Sequence, residues 1–487
     1  MRQLAPLKAA IRLICACLKN QIMSSTTIPD TSITGQLFKM NQYFHSGATR
    51  SFAFRNGQLK KLKQALLDHE QAIYNALYTD LKKSKEESYA TELGLVLAEI
   101  NVLLRNLRRW MQPQIVGTDL VNLPSRSRVY RDPLGTVLII APWNYPLQLL
   151  LIPLAGAIAG GNCAVIKPSE LAPATATVIQ KIMEEIFQPC FVMTVQGDGA
   201  IIIPEMMNSF RFDHVFYTGS IPVGKIVYQL AAKDLVPVTL ELGGKSPAIV
   251  EKDADIAAAA NRIVLGKFTN AGQTCVAPDY VLVDETIKDK LVDKLKTQIE
   301  KFYTTNAIAS DDYGKIINER RFDKLVSFLS EATILAGGQY DRTKLFFAPT
   351  LIGDVNLHSP LMREEIFGPL LPVISFSNTE DAINVVQQNA NPLAFYLFTS
   401  SKKKEKEWIS RVAFGGGCVN NTAWHFTNHH LPFGGVGASG LGAYHGKYTF
   451  DTFTRLKPVM KTPAWFDPSI KYPPFNGRLK LFKWIIR

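Results

Sequence analysis

The sequence predicts an α/β protein built on parallel sheets with helices on both faces. Short, wholly apolar runs alternate with helical stretches between residues 137 and 217, and the alternation restarts after Pro237. Runs of this kind read as parallel strands buried on both faces, with crossover helices covering them. The length of 487 residues leaves room for two to four domains at about 150 residues apiece. A chain that is 47% hydrophobic and 20% charged is neither disordered, nor collagen-like, nor a disulfide mini-scaffold.

The elements follow in order. Leu59, Leu62, Leu66, Ile73 and Leu77 recur at helical spacing over 57–80, and the pattern continues over 86–111 before Pro113. Val137-Leu138-Ile139-Ile140 reads as a buried strand, followed by the rigid turn Ala141-Pro142-Trp143-Asn144-Tyr145-Pro146. A helix over 147–160, the strand Cys163–Ile166, a helix over 174–187, a strand near 191–195 and the strand His214–Tyr217 come next. After Pro237 a strand, a helix from about 254, the strand Tyr280–Val283 and a helix over 286–302 lead on to a glycine-rich segment, 414–442. This is a pair of α/β domains in tandem with a seam near residue 238.

Basic residues outnumber acidic ones by 54 to 42, and most of the excess lies at the two ends. Arg2, Lys8, Arg12 and Lys19 have no acid among residues 1–29, and five basic residues have none among 468–487. The body is nearly neutral, which argues against a nucleic-acid-binding face. Six scattered cysteines without a CxxC pair indicate neither a zinc ribbon nor a disulfide framework and fit a reducing, cytoplasmic setting. No run approaches the roughly 20 apolar residues needed to span a bilayer. The tail Gly477–Arg487 mixes Leu, Phe, Trp and Ile with basic residues. That suits either peripheral contact with an anionic membrane or packing on the protein itself or a second subunit. Residues 1–34 read as an extension, either a basic membrane-associated segment or sequence upstream of a true start at Met23.

Several segments carry chemistry. Gly219-Ser220 through Gly224 follows a strand and opens a helix, so its backbone suits a pyrophosphate, although such a turn alone is a weak signal. Gly435-Val-Gly437-Ala-Ser-Gly440 matches the dinucleotide fingerprint in form but lacks a preceding strand and reads as a tight loop. Lys167 and Glu170 sit just past a buried strand, where ligands favour an α/β sheet; taken singly they are a solvated loop. Cys275 lies in a loop of small and polar residues, and a thiolate nucleophile there needs access and a lowered pKa. Glu241, among apolar and glycine residues at a strand end, is expected to be partly buried, raised in pKa and fit for general-base work. Asn144, held between two prolines, can donate to an oxyanion. His425, His429 and His430 have no Cys, Asp or Glu nearby in sequence and read as a polar surface loop rather than a metal site.

Together these segments resemble the motifs of the aldehyde dehydrogenase superfamily over roughly residues 35–460. The resemblance rests on Leu240-Glu-Leu-Gly-Gly-Lys-Ser-Pro247, Asn270-Ala-Gly-Gln-Thr-Cys275, Ala141-Pro-Trp-Asn144, Ile166-Lys-Pro-Ser-Glu170, Gly219–Gly224 and Glu364-Glu-Ile-Phe-Gly-Pro369. Cys275-Val-Ala-Pro-Asp-Tyr280, Leu431–Gly440 and Tyr444-His-Gly-Lys447 are similar to the class 3 branch, which includes fatty-aldehyde, aromatic-aldehyde and apocarotenal dehydrogenases.

The resemblance implies a Rossmann-like NAD(P)-binding domain (35–111 and 134–238) and an α/β catalytic domain (239–439). It adds a small β bridging element (112–133 and 440–456) that builds a homodimer, then a basic apolar tail (457–487). It implies NAD or NADP as cofactor, Cys275 as nucleophile, Asn144 and the Cys275 N–H as oxyanion donors, and Glu241 as the base that activates water against the thioester. Lys167 and Glu170 fall on the adenosine ribose, and Gly219, Ser220 and Gly224 beside the pyrophosphate. Glu365 and Phe367 fall on the nicotinamide ribose, Trp143 and Leu242 complete the cofactor set, and Glu365 is an alternative base. The implied substrate is a hydrophobic aldehyde, and the hydrophobic, basic tail points to long-chain or isoprenoid-like ones being preferred to acetaldehyde. A cofactor-independent thioester or ester hydrolase and a catalytically silent nucleotide-binding protein at a membrane are the competing classes. Dependence of turnover on NAD(P) separates them, and a thioester passed to CoA is a variant of the first reading.

Overall fold

The computed structural model describes residues 32–330 and 332–486. The predicted N-terminal extension thus lies outside the described residues as far as Thr31. Ser32 and Ser51 cap the helices Ile33–His45 and Phe52–Asp68, their hydroxyl oxygens accepting from the Gly35 and Phe54 N–H groups. The helix expected over 57–80 is two, Phe52–Asp68 and Glu70–Leu81, broken at His69; the five predicted apolar positions are fully buried in them. The helix expected over 86–111 is also interrupted. A single turn Lys85–Ser88 runs into a π-helical stretch Tyr89–Leu93, where the Gly94 N–H reaches back to the Tyr89 carbonyl, and Gly94–Trp110 follows as α-helix.

A six-stranded sheet runs in the order Gly440–Leu441, Val238–Glu241, His214–Thr218, Thr136–Ile140, Cys163–Lys167, Val192–Thr194. Its last five strands are parallel, and Gly440–Leu441 joins antiparallel to Val238–Glu241. The strands are apolar without alternation because helices cover both faces, among them Gln148–Gly160, which is buried on every side. The order reverses beside Thr136–Ile140, since the chain builds outward on one side and then returns to the other.

A seven-stranded sheet follows, ordered Thr333–Ala336, Thr350–Gly353, Leu370–Phe376, Tyr280–Asp284, Pro247–Val250, Ala394–Phe398, Gly416–Val419. Only Thr333–Ala336 is antiparallel. The seam predicted near 238 therefore falls later: Val238–Glu241 completes the first sheet, and the second begins at Pro247.

A third, antiparallel sheet joins Gln114–Val116, Arg126–Pro133 and Thr454–Lys461. The stretch 440–456 is accordingly divided. Gly440–Leu441 belongs to the first sheet and helix Lys447–Thr452 lies on the buried helix, where a Cβ on Gly156 would overlap Thr449. The bridging strand runs on to Lys461, into the predicted tail. No helix among the described residues is long and apolar enough to cross a membrane.

Candidate active site

The first sheet's carboxyl edge faces the second sheet's amino edge, and the site lies between them. Parallel strands send all their following loops to one edge, so Asn144, Lys167 with Glu170, Gly219 with Ser220, and Glu241 converge there from four strands distant in sequence. The second sheet contributes the loops before Tyr280 and Leu370, which carry Cys275 and then Glu365 with Phe367.

The cysteine loop is strained. Asn270, Ala271 and Gly272 have φ of +53°, +50° and +74°, a conformation that costs residues with a Cβ. The surroundings hold it there: Gln273 Nε2 donates to the Asn270 and Lys315 carbonyls at 3.0 and 2.9 Å, and its Oε1 accepts from the Ile317 N–H at 3.0 Å. Asn144, 2% exposed, donates through Nδ2 to the Gln273 carbonyl at 3.0 Å, which joins the amide to the cysteine loop.

Cys275 is half-buried and free. Burial first, then the negative charges of Glu365 and Glu241, push its thiol up to about 12, against the backbone N–H groups of Cys275 and Val276. The lowered pKa that a thiolate requires is thus not present in this arrangement. The two carboxyls are unusual as well. Glu241 is 3% exposed, neither oxygen has a hydrogen-bond partner, and burial alone holds it well above its ordinary value. Glu365 is raised to about 8 by burial and then by the Asp279 charge, while Arg321, the Gly244 N–H and Lys245 pull the other way. A Cβ on Gly243 would overlap the Glu365 carboxylate, so the missing side chain at Gly243 makes room for that acid.

Glu365 and Phe367 are held by residues that sequence reasoning did not assign. Lys245 ion-pairs with Asp279, and its Nζ donates to the Leu361 and Glu364 carbonyls at 2.9 Å each. Asp279 accepts from the Ile366 N–H at 2.9 Å. Phe367 has φ +47°, with its ring edge-on to Trp143 at 5.4 Å. Lys267 is fully buried without a partner for its Nζ, and burial lowers it to about 8. Both Lys245 and Asp279 stood inside quoted motifs, but only the tertiary fold pairs them.

On the other side of Asn144 lie the glycine turn and the Lys167–Glu170 strand edge. Helix Ile221–Ala232 begins at the glycine turn with Pro222 in its first turn, and no side chain caps its N-terminus, leaving N–H groups for an anion. Gly224 permits close packing, since a Cβ there would lie 2.6 Å from the Leu242 side chain. Leu242 is itself buried under that turn, and its N–H donates to the Ser439 carbonyl at 3.1 Å. Lys167 ion-pairs with the exposed Glu170, whose second oxygen accepts from the Gly199 N–H at 3.4 Å. An exposed acid at this strand edge suits ribose hydroxyls. The glycine fingerprint at 435–440 forms a tight turn ending in the strand paired with Val238–Glu241.

The histidines differ from the sequence picture of a partnerless surface loop. His429 Nδ1 lies 2.9 Å from Oε2 of the fully buried Glu99, and His425 Nδ1 lies 3.8 Å from Cys418 Sγ. Glu99 also accepts from the Gly446 N–H and the Thr449 hydroxyl, at 2.8 and 2.7 Å. Those donors claim its oxygens and pin the chain around 429–449 as a structural anchor. Inside that anchor a pocket opens on Cys275, with Leu149, Leu265, Phe426, Phe433 and Tyr444 among its walls.

The comparisons agree with this geometry. The aldehyde dehydrogenase family model matches residues 9–459. The chain is 45% identical to 4,4'-diaponeurosporen-aldehyde dehydrogenase of Staphylococcus aureus (strain NCTC 8325 / PS 47), over 93% of this chain and 98% of that one. It is 43% identical to aldehyde dehydrogenase family 3 member A2 of Rattus norvegicus, over 90% and 91%. It also superposes with a TM-score of 0.92 on a substrate-bound Staphylococcus aureus AldH, 44% identical, over 94% of this chain and all of that one. A thiol, two raised carboxyls and an amide gathered where the two parallel sheets meet, on a chain matched over nearly its whole length, place this protein in the aldehyde dehydrogenase family.

Proposed function

We propose that this aldehyde dehydrogenase converts hydrophobic aldehydes, whether medium- or long-chain aliphatic, aromatic or apocarotenoid, into carboxylic acids. The observation that carries this reading is the cavity, which keeps apolar walls up to the Cys275 sulfur. A strongly hydrated aldehyde loses water there without gaining partners, whereas an alkyl or polyene chain gains burial.

The cofactor is NAD or NADP, which when bound supplies the acceptor for the aldehyde hydrogen. Lys167 and Glu170 would hold the adenosine ribose; Gly219, Ser220 and Gly224 the pyrophosphate; Glu365 and Phe367 the nicotinamide ribose, with Trp143 and Leu242 supporting. In our reading Cys275 attacks the carbonyl as its thiol proton passes to Glu365 in its ionised form, which is populated as the pH approaches 8. The Asn144 amide carries two protons. One is spent on the Gln273 carbonyl, which leaves the other for the oxyanion beside the Cys275 N–H. One such donor lowers the barrier by about 3 kcal/mol. Glu241, whose oxygens no donor occupies, then takes a proton from the water that opens the thioester. Glu365 is the alternative base.

We also propose a homodimer and a peripheral membrane contact. The bridging strand Thr454–Lys461 is exposed along nearly all its length, with Leu456, Val459 and Met460 open beside Ile115. The terminal helix Leu479–Ile485 exposes Leu479 and Trp484 on either side of Lys480 and Lys483, a pairing that suits anionic lipid.

The test is formation of NADH or NADPH by the wild type and Cys275→Ala with a long alkanal and with acetaldehyde. We expect turnover that favours the alkanal and is abolished in the variant. Equal kcat/KM on both aldehydes would remove the substrate reading, and turnover by Cys275→Ala would remove the nucleophile.

A further inference from the structure

Behind Asn144 lies a buried ion pair that the reaction above does not use. Lys83 Nζ is 2.7 Å from Glu92 Oε1, and both side chains are wholly excluded from solvent. The same ammonium donates to the Asn144 carbonyl at 2.9 Å and stands 3.9 Å from the centre of the Tyr145 ring. The other Glu92 oxygen accepts from the Leu147 and Gln148 N–H groups at 3.1 and 2.9 Å, at the start of helix Gln148–Gly160. The two charges therefore grip the main chain on either side of the turn that presents the Asn144 amide.

A second acid works from the opposite side. Glu87 accepts from the Asn270 N–H at 2.9 Å, and Asn270 Nδ2 donates to the Asn144 and Gln273 carbonyls at 2.9 and 3.1 Å. The Asn144 carbonyl thus receives Lys83 from one side and the cysteine loop from the other. The local backbone fits the purpose. Glu92 sits in the π-helical stretch Tyr89–Leu93, and a π turn within an α-helix shifts the register of the side chains it carries, commonly near functional sites. A buried ion pair is also a poor source of stability, because the desolvation of both charges offsets their attraction.

We infer that Lys83 and Glu92 are positioning residues for oxyanion stabilisation, acting through the main chain of Asn144, Leu147 and Gln148 to fix the Asn144 amide against the cysteine loop. This rests on the reading of Asn144 as an oxyanion donor. It assigns a catalytic consequence to the segment 83–92, which holds none of the residues identified from sequence motifs.

The test compares Lys83→Met/Glu92→Met, Asn144→Ala and their combination with the wild type. Removing both charges together leaves neither buried alone, while the Leu147 and Gln148 N–H groups lose their acceptor, so the melting temperature should fall by only a few degrees. We expect kcat for a long alkanal to fall about 10- to 100-fold with KM little changed, since small misplacements of a catalytic group have effects of that size. Cofactor-free hydrolysis of p-nitrophenyl acetate should fall in parallel. In the Asn144→Ala background the paired substitution should add less than about twofold, as coupled groups do in a double-mutant cycle. A folded pair variant with wild-type kcat, or full additivity with Asn144→Ala, would overturn the inference. Wild-type kcat in Asn144→Ala would overturn the donor reading instead. If the pair variant does not fold, Glu92→Gln, which keeps an acceptor for Leu147 and Gln148, gives the same readouts.

Discussion

Replacing Glu241 with Gln separates acylation from deacylation. Burial holds the Glu241 carboxyl well above 4.5, and with no hydrogen bond to either oxygen it keeps its proton at pH values above those at which an ordinary glutamate loses it. A base in that state becomes competent only as the pH rises toward its folded pKa. Thioester hydrolysis in the wild type should therefore quicken with pH, by as much as tenfold per pH unit below that value. Gln keeps the shape but cannot accept the proton, so the hydrolytic step should slow about 10²- to 10⁴-fold and lose its pH dependence. The same substitution should stabilise the fold. The unfolded carboxyl ionises near 4.5 while the folded one resists, so the wild type loses about 1.4 kcal/mol per pH unit above 4.5 until the folded pKa is reached. Rapid mixing with aldehyde and cofactor should then give a burst of about one equivalent of reduced cofactor per active site, followed by a slow steady state. A higher melting temperature at pH 8 would show that the slow phase is not misfolding. Absence of a burst, or a burst in Glu365→Gln instead, would refute Glu241 as the hydrolytic base.

Glu365 and its cradle make two further predictions. A carboxyl held at about 8 against an ordinary 4.5 costs the fold about 5 kcal/mol once the pH passes 8. Urea unfolding should find Glu365→Gln equal to the wild type near pH 4 and increasingly more stable toward pH 8, and a constant difference across that range would contradict the buried, neutral acid. Gly243→Ala places a methyl group where the Glu365 carboxylate now lies and must displace it. Calorimetry should show cofactor affinity weakened at least about tenfold, the loss of one charged hydrogen bond, with the melting temperature lowered by only a few degrees. Unchanged affinity would mean that Glu365 does not touch the cofactor.

The strand and turn positions were legible because their causes are local. Buried parallel strands must be apolar throughout, so Val137–Ile140, Cys163–Ile166 and His214–Tyr217 stood out within a residue or so of their observed ends. Helix interruptions were not legible, because the spacing around His69 and Tyr89 stays apolar-periodic whether or not the backbone breaks. The seam was placed too early for a similar reason. Val238–Glu241 reads as a strand in either sheet, and only its pairing with His214–Thr218 assigns it to the first.

Sequence by itself determined which residue types are available for chemistry: a cysteine among small residues, an acid among apolar ones, an amide between prolines, and glycines where a backbone must come close. Tertiary structure alone decided how they act. It placed Glu365 on Gly243, left Glu241 without a donor, raised the Cys275 thiol instead of lowering it, and set Lys83 and Glu92 behind Asn144. The division has a physical cause. Strand formation and turn geometry depend on neighbours along the chain, whereas desolvation and charge pairing depend on neighbours in space, which here include segments 61 and 129 residues apart.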